Sequence, residues 1–305
     1  MMKCDAVIRN GIREHWQDIC DEDISHVAEY LKHSPISVID GGVLSTFEQK
    51  FADFIGVKHA VAYCNGTAAI HAASYAVGAS KDFNMIISQY GYHGTVNAVL
   101  ENDAKVILTD YDRNTLNFDC KMAEKYCEDA QGLLITHCWG NVVDMDAVQQ
   151  LKEKYGLKII SDASHAHGAK WRGVNIGATS VEDVACFSLG KNKLISAGEL
   201  GVAVTDDDEI YDKLLFMGHP NRVPEALVGS KLKIYSNAIG NKYRPHVLAM
   251  VLAMSQIDRY SQKRRFNIYT NEYLEKSIES ICESYSDYLY ILTKKYLIKF
   301  ENYFF

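Results

Sequence analysis

Short apolar runs rich in β-branched residues alternate along the chain with longer stretches of helical periodicity. These runs predict strands at His59–Tyr63, Met85–Ser88, Lys105–Thr109, Gly132–His137, Lys158–Ser161, Asp183–Ser188 and Gly201–Thr205. The stretches beside them predict helices at Leu44–Phe54, Thr67–Ala76, Thr95–Glu101, Lys121–Cys127 and Asp144–Tyr155. After Asp206 the pattern changes to a helix, a loop and a long helix from Pro245 to about Gln262.

This alternation is typical of an α/β protein whose mostly parallel sheet is covered by helices on both faces. Ligands of such proteins bind at the carboxyl ends of the strands. The segments that directly follow the strands are therefore the places to look for chemistry.

Composition narrows the classes of function. The formal charge of −7, with no block of basic residues, disfavours a nucleic-acid or anionic-membrane partner. We expect neither a signal peptide in residues 1–10 nor a membrane-spanning run. The eight cysteines form no CxxC pair, which disfavours zinc and indicates reduced thiols of a cytoplasmic protein.

The turn Cys64–Ala69 joins a strand to a helix and contains Asn65, Gly66, Thr67 and Ala68. A glycine permits close backbone approach, and a helix N-terminus offers free N–H groups to a phosphate. An ordinary helix-capping turn explains the same residues, so the turn alone does not establish a phosphate site.

An acidic residue, Asp162, closes the strand at Lys158–Ser161, and His165 follows three residues later. A carboxylate at the mouth of a buried sheet favours a cationic partner, such as a protonated pyridine nitrogen. The alternative is an aspartate that caps the next turn.

Two lysines, Lys191 and Lys193, lie between the last two strands, and Ser188 ends the first of these strands. A desolvated lysine is a Schiff-base nucleophile, whereas a loop lysine is more often solvated. The residues alone do not choose between the two lysines.

Tyr92, after the strand at Met85, has an aromatic face that suits a planar ring, although simple packing explains it equally well.

Together these segments meet four demands of pyridoxal phosphate (PLP): a phosphate seat, an aromatic face, an acid for the ring nitrogen and a lysine for the aldehyde. From about Gly41 to Gln262 the chain resembles the DegT/DnrJ/EryC1/StrS family of PLP-dependent sugar and aminocyclitol aminotransferases, of PLP fold type I. The resemblance is carried by N-G-T at Asn65, T-V-N-A-V-L at Thr95, D-A-S-H-A-H-G-A at Asp162, F-S-x-x-x-x-K-x-x-x-x-G-E at Phe187 and G-N-K-Y-R at Gly240.

The resemblance implies roles for single residues. It makes Lys193, six residues before Glu199, the Schiff-base lysine, and it pairs Asp162 with the pyridine nitrogen. It places His165 near the ring hydroxyl and Tyr92 on the ring face. The phosphate-binding positions that it implies are Gly66, Thr67, Ala68, Ser188 and, from the neighbouring subunit of a homodimer, Asn241.

The implied reaction moves an amino group from glutamate or glutamine to a keto sugar, nucleotide-linked and used for polysaccharide. Alternatives are a keto-cyclitol acceptor and a PLP-binding protein without turnover. Arg222 and Arg244 are candidates for contacting a diphosphate. The family's histidine-containing dehydratase branch is disfavoured, because position 193 is lysine.

The expected organisation is a PLP-binding large domain at residues 1–235, with an N-terminal helical segment, and a small C-terminal domain at residues 236–305. The chain departs from the family pattern at Leu200, where glycine is usual, and after about Ser284. The loss of pattern in residues 285–305 suggests that the C-terminal domain is incomplete.

Overall fold

A computed structural model describes residues 19–113, 115–191, 193–219, 222 and 241–263. The helices are α1 Asp21–His33, α2 Gly42–Ile55, α3 Gly66–Ala76, α4 His93–Leu100, α5 Cys120–Glu124, α6 Met145–Tyr155, α7 Asp208–Gly218 and α8 Val247–Asp258. The strands are β1 His59–Tyr63, β2 Asn84–Ser88, β3 Lys105–Thr109, β4 Gly132–Thr136, β5 Lys158–Asp162, β6 Lys170–Trp171, β7 Val174–Asn175, β8 Val184–Ser188 and β9 Gly201–Thr205.

A seven-stranded sheet with the order β1-β9-β8-β5-β4-β2-β3 forms the centre of the fold. Strand β9 is antiparallel to both of its neighbours, and the other strands pair in parallel. The ends of β1, β2, β4, β5 and β8 therefore lie along one edge of the sheet. The predicted α/β class with a mostly parallel sheet is confirmed.

Two apolar cores lie on opposite faces of this sheet. Successive strand residues point to opposite faces, so Ala60 and Ala62 enter one core while Val61 and Tyr63 enter the other. Helices α2, α6 and α8 cover the first core, and α3, α4 and α7 cover the second. The result is the three-layer α/β/α arrangement expected for the family.

Most predicted elements are confirmed, with shifts at their ends. The helix predicted at Lys121–Cys127 is the shorter α5, followed by a 3-10 turn at Cys127–Asp129. The long helix predicted from Pro245 begins at Val247 and is interrupted at Arg259. The hairpin of β6 and β7 was not predicted, because two-residue strands leave no periodic pattern.

The N-terminal helical segment is α1, and it packs against α8. Asp23 of α1 pairs with Arg259, and His26 Nδ1 lies 3.0 Å from Ser255 Oγ. The structure describes only residues 241–263 of the C-terminal domain that was predicted at residues 236–305. Within this part, α8 packs onto α2 of the large domain. The predicted boundary and the pattern loss at residues 285–305 fall outside the described residues and stay predictions.

Candidate active site

The carboxyl edge of the sheet encloses a cavity of roughly 600 Å³. The segments after β1, β2, β4, β5 and β8 all contribute to its wall. The lining residues are Asn65, Gly66, Thr67, Ile70, Tyr90, Gly91, Tyr92, Thr95, Thr136, Cys138, Trp139, Asp162, Ser164, His165, Ser188, Gly190, Lys191, Lys193 and Glu199. The structure thus brings together every predicted catalytic and cofactor-binding residue except Ala68 and Asn241.

The turn between β1 and α3 forms one end of the cavity. Asn65 caps α3 through its side chain, which accepts the Ala68 N–H at 2.9 Å. A Cβ on Gly66 would lie 2.7 Å from Ser188 Cβ, so only glycine lets this turn approach the end of β8. Ala68 itself is buried in the core and its N–H serves the cap, which leaves its predicted phosphate role without direct support.

Asp162 stands at the end of β5 and is only 4% exposed. Its Oδ2 accepts the Thr95 hydroxyl at 2.8 Å, and its Oδ1 accepts the Ser164 N–H at 3.2 Å. Among the described residues it has no ion-pair partner. A buried carboxylate held by neutral donors suits a cationic group of a bound molecule.

Thr95 is a site residue that the sequence did not single out. It lies in the first turn of α4, and its contact with Asp162 joins two segments that are 67 residues apart. Its place in the T-V-N-A-V-L motif is the only sequence signal that pointed toward it.

Both candidate lysines line the cavity, but their surroundings differ. Lys191 is exposed, whereas Lys193 is half-buried in the loop between β8 and β9. Desolvation lowers the pKa of Lys193 and the charge of Asp162 opposes this shift. A lowered pKa is the property that a Schiff-base lysine needs, so the surroundings favour Lys193.

This loop also accommodates the departure at Leu200. Gly198 takes the left-handed conformation, with φ of 81°, while Leu200 is fully buried. The Leu200 carbonyl accepts the Leu189 N–H at 2.7 Å and closes the loop. The residue with the left-handed backbone is therefore Gly198, two positions before Leu200. The turn does not require a glycine at position 200.

Aromatic side chains form another part of the cavity wall. Tyr92 is 65% exposed, and a Cβ on Gly94 would lie 2.5 Å from its ring. Trp139 stacks on His165 with ring centroids 5.4 Å apart. Flat side chains around an open cavity suit a planar ligand.

The remaining predicted contacts lie elsewhere. The guanidinium of Arg222 is committed to the carboxylate of Glu48, with nitrogen–oxygen distances of 2.8 and 2.6 Å, and both side chains are 7% exposed. Arg222 therefore lies in a buried ion pair and does not line the cavity, contrary to its candidate role at a diphosphate. Arg244 Nη1 donates to the Val38 carbonyl at 3.4 Å. Asn241 is exposed, and its backbone N–H donates to the Met217 carbonyl at 2.9 Å.

These features fit PLP. A helix N-terminus packed closely against Ser188 suits a phosphate, Asp162 suits a protonated ring nitrogen, and Lys193 suits an aldehyde. Fold and site together define the class of α/β proteins that hold a phosphorylated cofactor on a lysine.

The chain belongs to the DegT/DnrJ/EryC1/StrS aminotransferase family, whose sequence model matches residues 17–285. Membership confirms the fold and the cofactor, PLP, that the resemblance implied.

Relatives and solved structures agree with this membership. The chain is 30% identical to the GDP-perosamine synthase of Caulobacter vibrioides over 238 residues, which cover 78% of this chain and 62% of that protein. It is 30% identical to a UDP-4-amino-4,6-dideoxy-N-acetyl-β-L-altrosamine transaminase of Campylobacter jejuni over 267 residues, which cover 84% of this chain and 68% of that protein. The fold is similar to a crystal structure of 3-amino-5-hydroxybenzoic acid synthase, with a TM-score of 0.76, 24% identity and coverage of 87% and 68% of the two chains. The chain thus spans less than two-thirds of the Caulobacter protein.

Two further observations concern membrane-spanning helices and metal binding. No described helix is long and apolar enough to cross a membrane. Within the described ranges, no three His, Cys, Asp or Glu side chains are grouped so that they would hold a metal ion.

Proposed function

We propose that this protein is a sugar aminotransferase that transfers an amino group from glutamate or glutamine to a nucleotide-linked keto sugar during polysaccharide biosynthesis. The observation that carries the proposal is the convergence of Lys193, Asp162 and the β1–α3 turn on one cavity. The names of the relatives, a GDP-perosamine synthase and a UDP-amino-sugar transaminase, support the choice of acceptor. A cytoplasmic location stays a prediction.

PLP supplies an electron sink when it is bound. Asp162 holds the proton of the ring nitrogen, and Thr95 keeps the carboxylate in place. Gly66 and Thr67, with Ser188, bind the phosphate through N–H and hydroxyl groups. Lys193 would hold the aldehyde of PLP, and as a free amine its Nζ would take and return the proton at the substrate carbon.

The proposal includes a homodimer in which Asn241 reaches the phosphate of the other subunit. Asn241 lies outside the cavity wall of its own chain and is exposed, as such a role requires. Residue pairing between copies is tested by mixing a Lys193→Ala chain with an Asn241→Ala chain. Shared sites predict partial recovery of activity in the mixture.

A visible absorption spectrum of the protein with added PLP tests the central claim. We expect a band of lysine-bound PLP that Lys193→Ala removes and Lys191→Ala retains. Glutamate or glutamine should bleach the band as the cofactor takes up the amino group. A band that persists under both donors would instead support a PLP-binding protein without turnover, and a band that depends on Lys191 would refute the lysine assignment.

The acceptor is tested next, with the aminated enzyme. Nucleotide-linked keto sugars should restore the original band, because the cofactor returns its amino group to them. Recovery with a keto cyclitol alone would favour the alternative acceptor class. Both acceptor classes should be tested, because the fold is also similar to that of 3-amino-5-hydroxybenzoic acid synthase, whose name contains no nucleotide-linked sugar.

A further inference from the structure

Trp139 has an unusual backbone and an unusual exposure. It has φ of 60° and ψ of 19°, in the left-handed region that a residue with a Cβ rarely adopts. Its indole ring is 55% exposed, although it is one of the largest apolar side chains. Neither feature is explained by packing of the core.

Both features serve contacts with His165. The backbone N–H of Trp139 donates to His165 Nδ1 at 3.3 Å. The indole ring lies nearly parallel to the imidazole, with an interplanar angle of 10°. The indole Nε1–H donates to the Tyr90 hydroxyl at 3.3 Å, which fixes the far side of the ring.

The amide contact decides which nitrogen of His165 carries the proton. A neutral imidazole has one N–H, and a nitrogen that accepts an amide N–H must present its lone pair. Nδ1 is therefore unprotonated, and the proton resides on Nε2. Stacking alone would not make this choice, because an indole face attracts either tautomer and attracts the imidazolium more strongly.

We propose that Trp139 is a positioning residue that holds His165 as the neutral Nε2–H tautomer, so that His165 donates a hydrogen bond to the cofactor ring. The inference rests on the proposed cofactor site and deepens it. A neutral histidine offers a donor at Nε2 only when its Nδ1 is the acceptor. The turn at Trp139 fixes that arrangement through its backbone N–H.

The charges around His165 favour the neutral form. Desolvation by the surrounding protein and the charge of Lys193 lower the pKa of His165, and Asp162 opposes them. His167, which also interacts with His165, is itself neutral because burial lowers its pKa to about 3, and Trp139, stacked on His165, carries no charge. The ring therefore takes up a proton at lower pH than a free histidine, whose pKa is ~6.5.

Imidazole 15N NMR of the full-length protein, labelled at histidine and free of PLP, tests the tautomer directly. His165 is assigned by the signal that His165→Gln removes. We expect a pyridine-like Nδ1 and a pyrrole-like Nε2 at pH 7. A pyrrole-like Nδ1, or an imidazolium at pH 7, would overturn the proposal.

Two variants test how the indole ring holds the amide against His165. Trp139→Phe keeps a stacked ring and the amide and should retain the tautomer. Trp139→Gly keeps the amide N–H but removes the ring that stacks on His165 and bonds Tyr90, so the turn is no longer held in place. We expect mixed tautomers, a higher His165 pKa and a roughly three- to tenfold weaker PLP affinity, the loss of one hydrogen bond. Unchanged NMR signals in Trp139→Gly would overturn the positioning role.

Trp171→Phe is the matched control, because Trp171 bonds Asp146 outside the cavity and should change neither readout. Should Trp139→Gly fail to fold, the wild-type tautomer and Trp139→Phe still decide the question. Because the NMR experiment contains no PLP, absence of PLP binding would refute the proposed function while leaving the tautomer result intact.

Discussion

At the scale of single residues, the site depends on how the fold sets the proton affinity of a few side chains. Lys193 illustrates this most directly. A lysine in water is protonated at neutral pH and does not attack an aldehyde, whereas burial among apolar neighbours favours the neutral amine. The same loop contains Lys191, which is exposed.

The pH dependence of PLP capture by Lys193 follows from this difference. Because desolvation lowers the pKa of Lys193, the neutral amine appears at lower pH than for a free lysine, whose pKa is ~10.4. The rate of formation of the lysine-bound band should rise with pH to a midpoint below ~10.4. Below that midpoint the rate should fall about tenfold per pH unit, since the ammonium form then dominates.

Stopped-flow absorbance at saturating PLP measures this profile. Asp162→Asn removes the charge that raises the Lys193 pKa, so its midpoint should lie lower still. Lys191→Ala should leave the midpoint unchanged. A wild-type midpoint at or above ~10.4 would contradict the desolvation argument.

At the scale of secondary-structure elements, the site exists because strand ends and helix starts meet at one edge. The β1–α3 turn approaches its neighbours in the sheet very closely. A Cβ on Gly201 would lie 2.1 Å from the Asn65 carbonyl oxygen, and one on Gly66 would meet Ser188. Two glycines thus allow β1, β9 and the end of β8 to pack under the start of α3.

Gly66→Ala tests this packing. The added methyl group must displace Ser188 or the turn, and we expect a loss of about 1–3 kcal/mol in the free energy of unfolding. PLP affinity should also fall, because the phosphate-binding N–H groups move. Urea unfolding and equilibrium dialysis with PLP measure the two effects.

Gly91→Ala is the matched control within the same cavity. Its Cβ would meet nothing closer than Thr136 Oγ1 at 4.0 Å, and its φ is not positive. It should be close to wild type in stability. Equal losses in the two variants would show that the close contact at Ser188 is not what constrains Gly66.

At the scale of the whole molecule, three of the buried histidines make the stability of the fold depend strongly on pH. Burial lowers the pKa of His137 to about 3, of His167 to about 3 and of His219 to about 4. His219 Nε2 donates to the Ala62 carbonyl, and Val143 N–H donates to His137 Nδ1. Each ring is neutral in the folded protein over most of the acidic range.

The sign of the effect follows from linkage. The unfolded chain binds protons on these histidines near pH ~6.5, but the folded protein does not until pH falls to about 3 or 4. Their stabilising contribution is therefore complete above pH ~6.5 and is lost as the pH falls. By pH 5 the loss is on the order of 2 kcal/mol per histidine.

Urea unfolding between pH 7 and pH 5, at constant protein concentration, checks this expectation. His167→Phe, which removes one of the three groups, should make the pH dependence shallower. His33→Gln alters an exposed histidine and should not change it. A flat stability profile in the wild-type protein would show that these rings accept protons in the fold.

The alternation of β-branched runs and helical stretches was sufficient to predict the α/β class, because buried strands need such runs wherever they pair. Strand bounds at His59–Tyr63, Lys105–Thr109 and Gly201–Thr205 were predicted as the structure has them. The motifs after the strands placed Asp162, His165 and Ser188 at one cavity, since the carboxyl ends of parallel strands meet at one edge. The choice of Lys193 over Lys191 needed the family spacing, because two lysines in one loop have the same local chemistry.

The side-chain pairings between distant segments of the chain became known only from the tertiary structure. Thr95 bonds Asp162, and Trp139 bonds His165. Arg222 pairs with Glu48 and therefore does not line the cavity. None of these pairings has a periodic or local signature, because each joins side chains from separate elements. The sequence by itself determined the fold class and the chemistry available at the strand ends, and packing determined which of those groups are oriented, desolvated or already engaged.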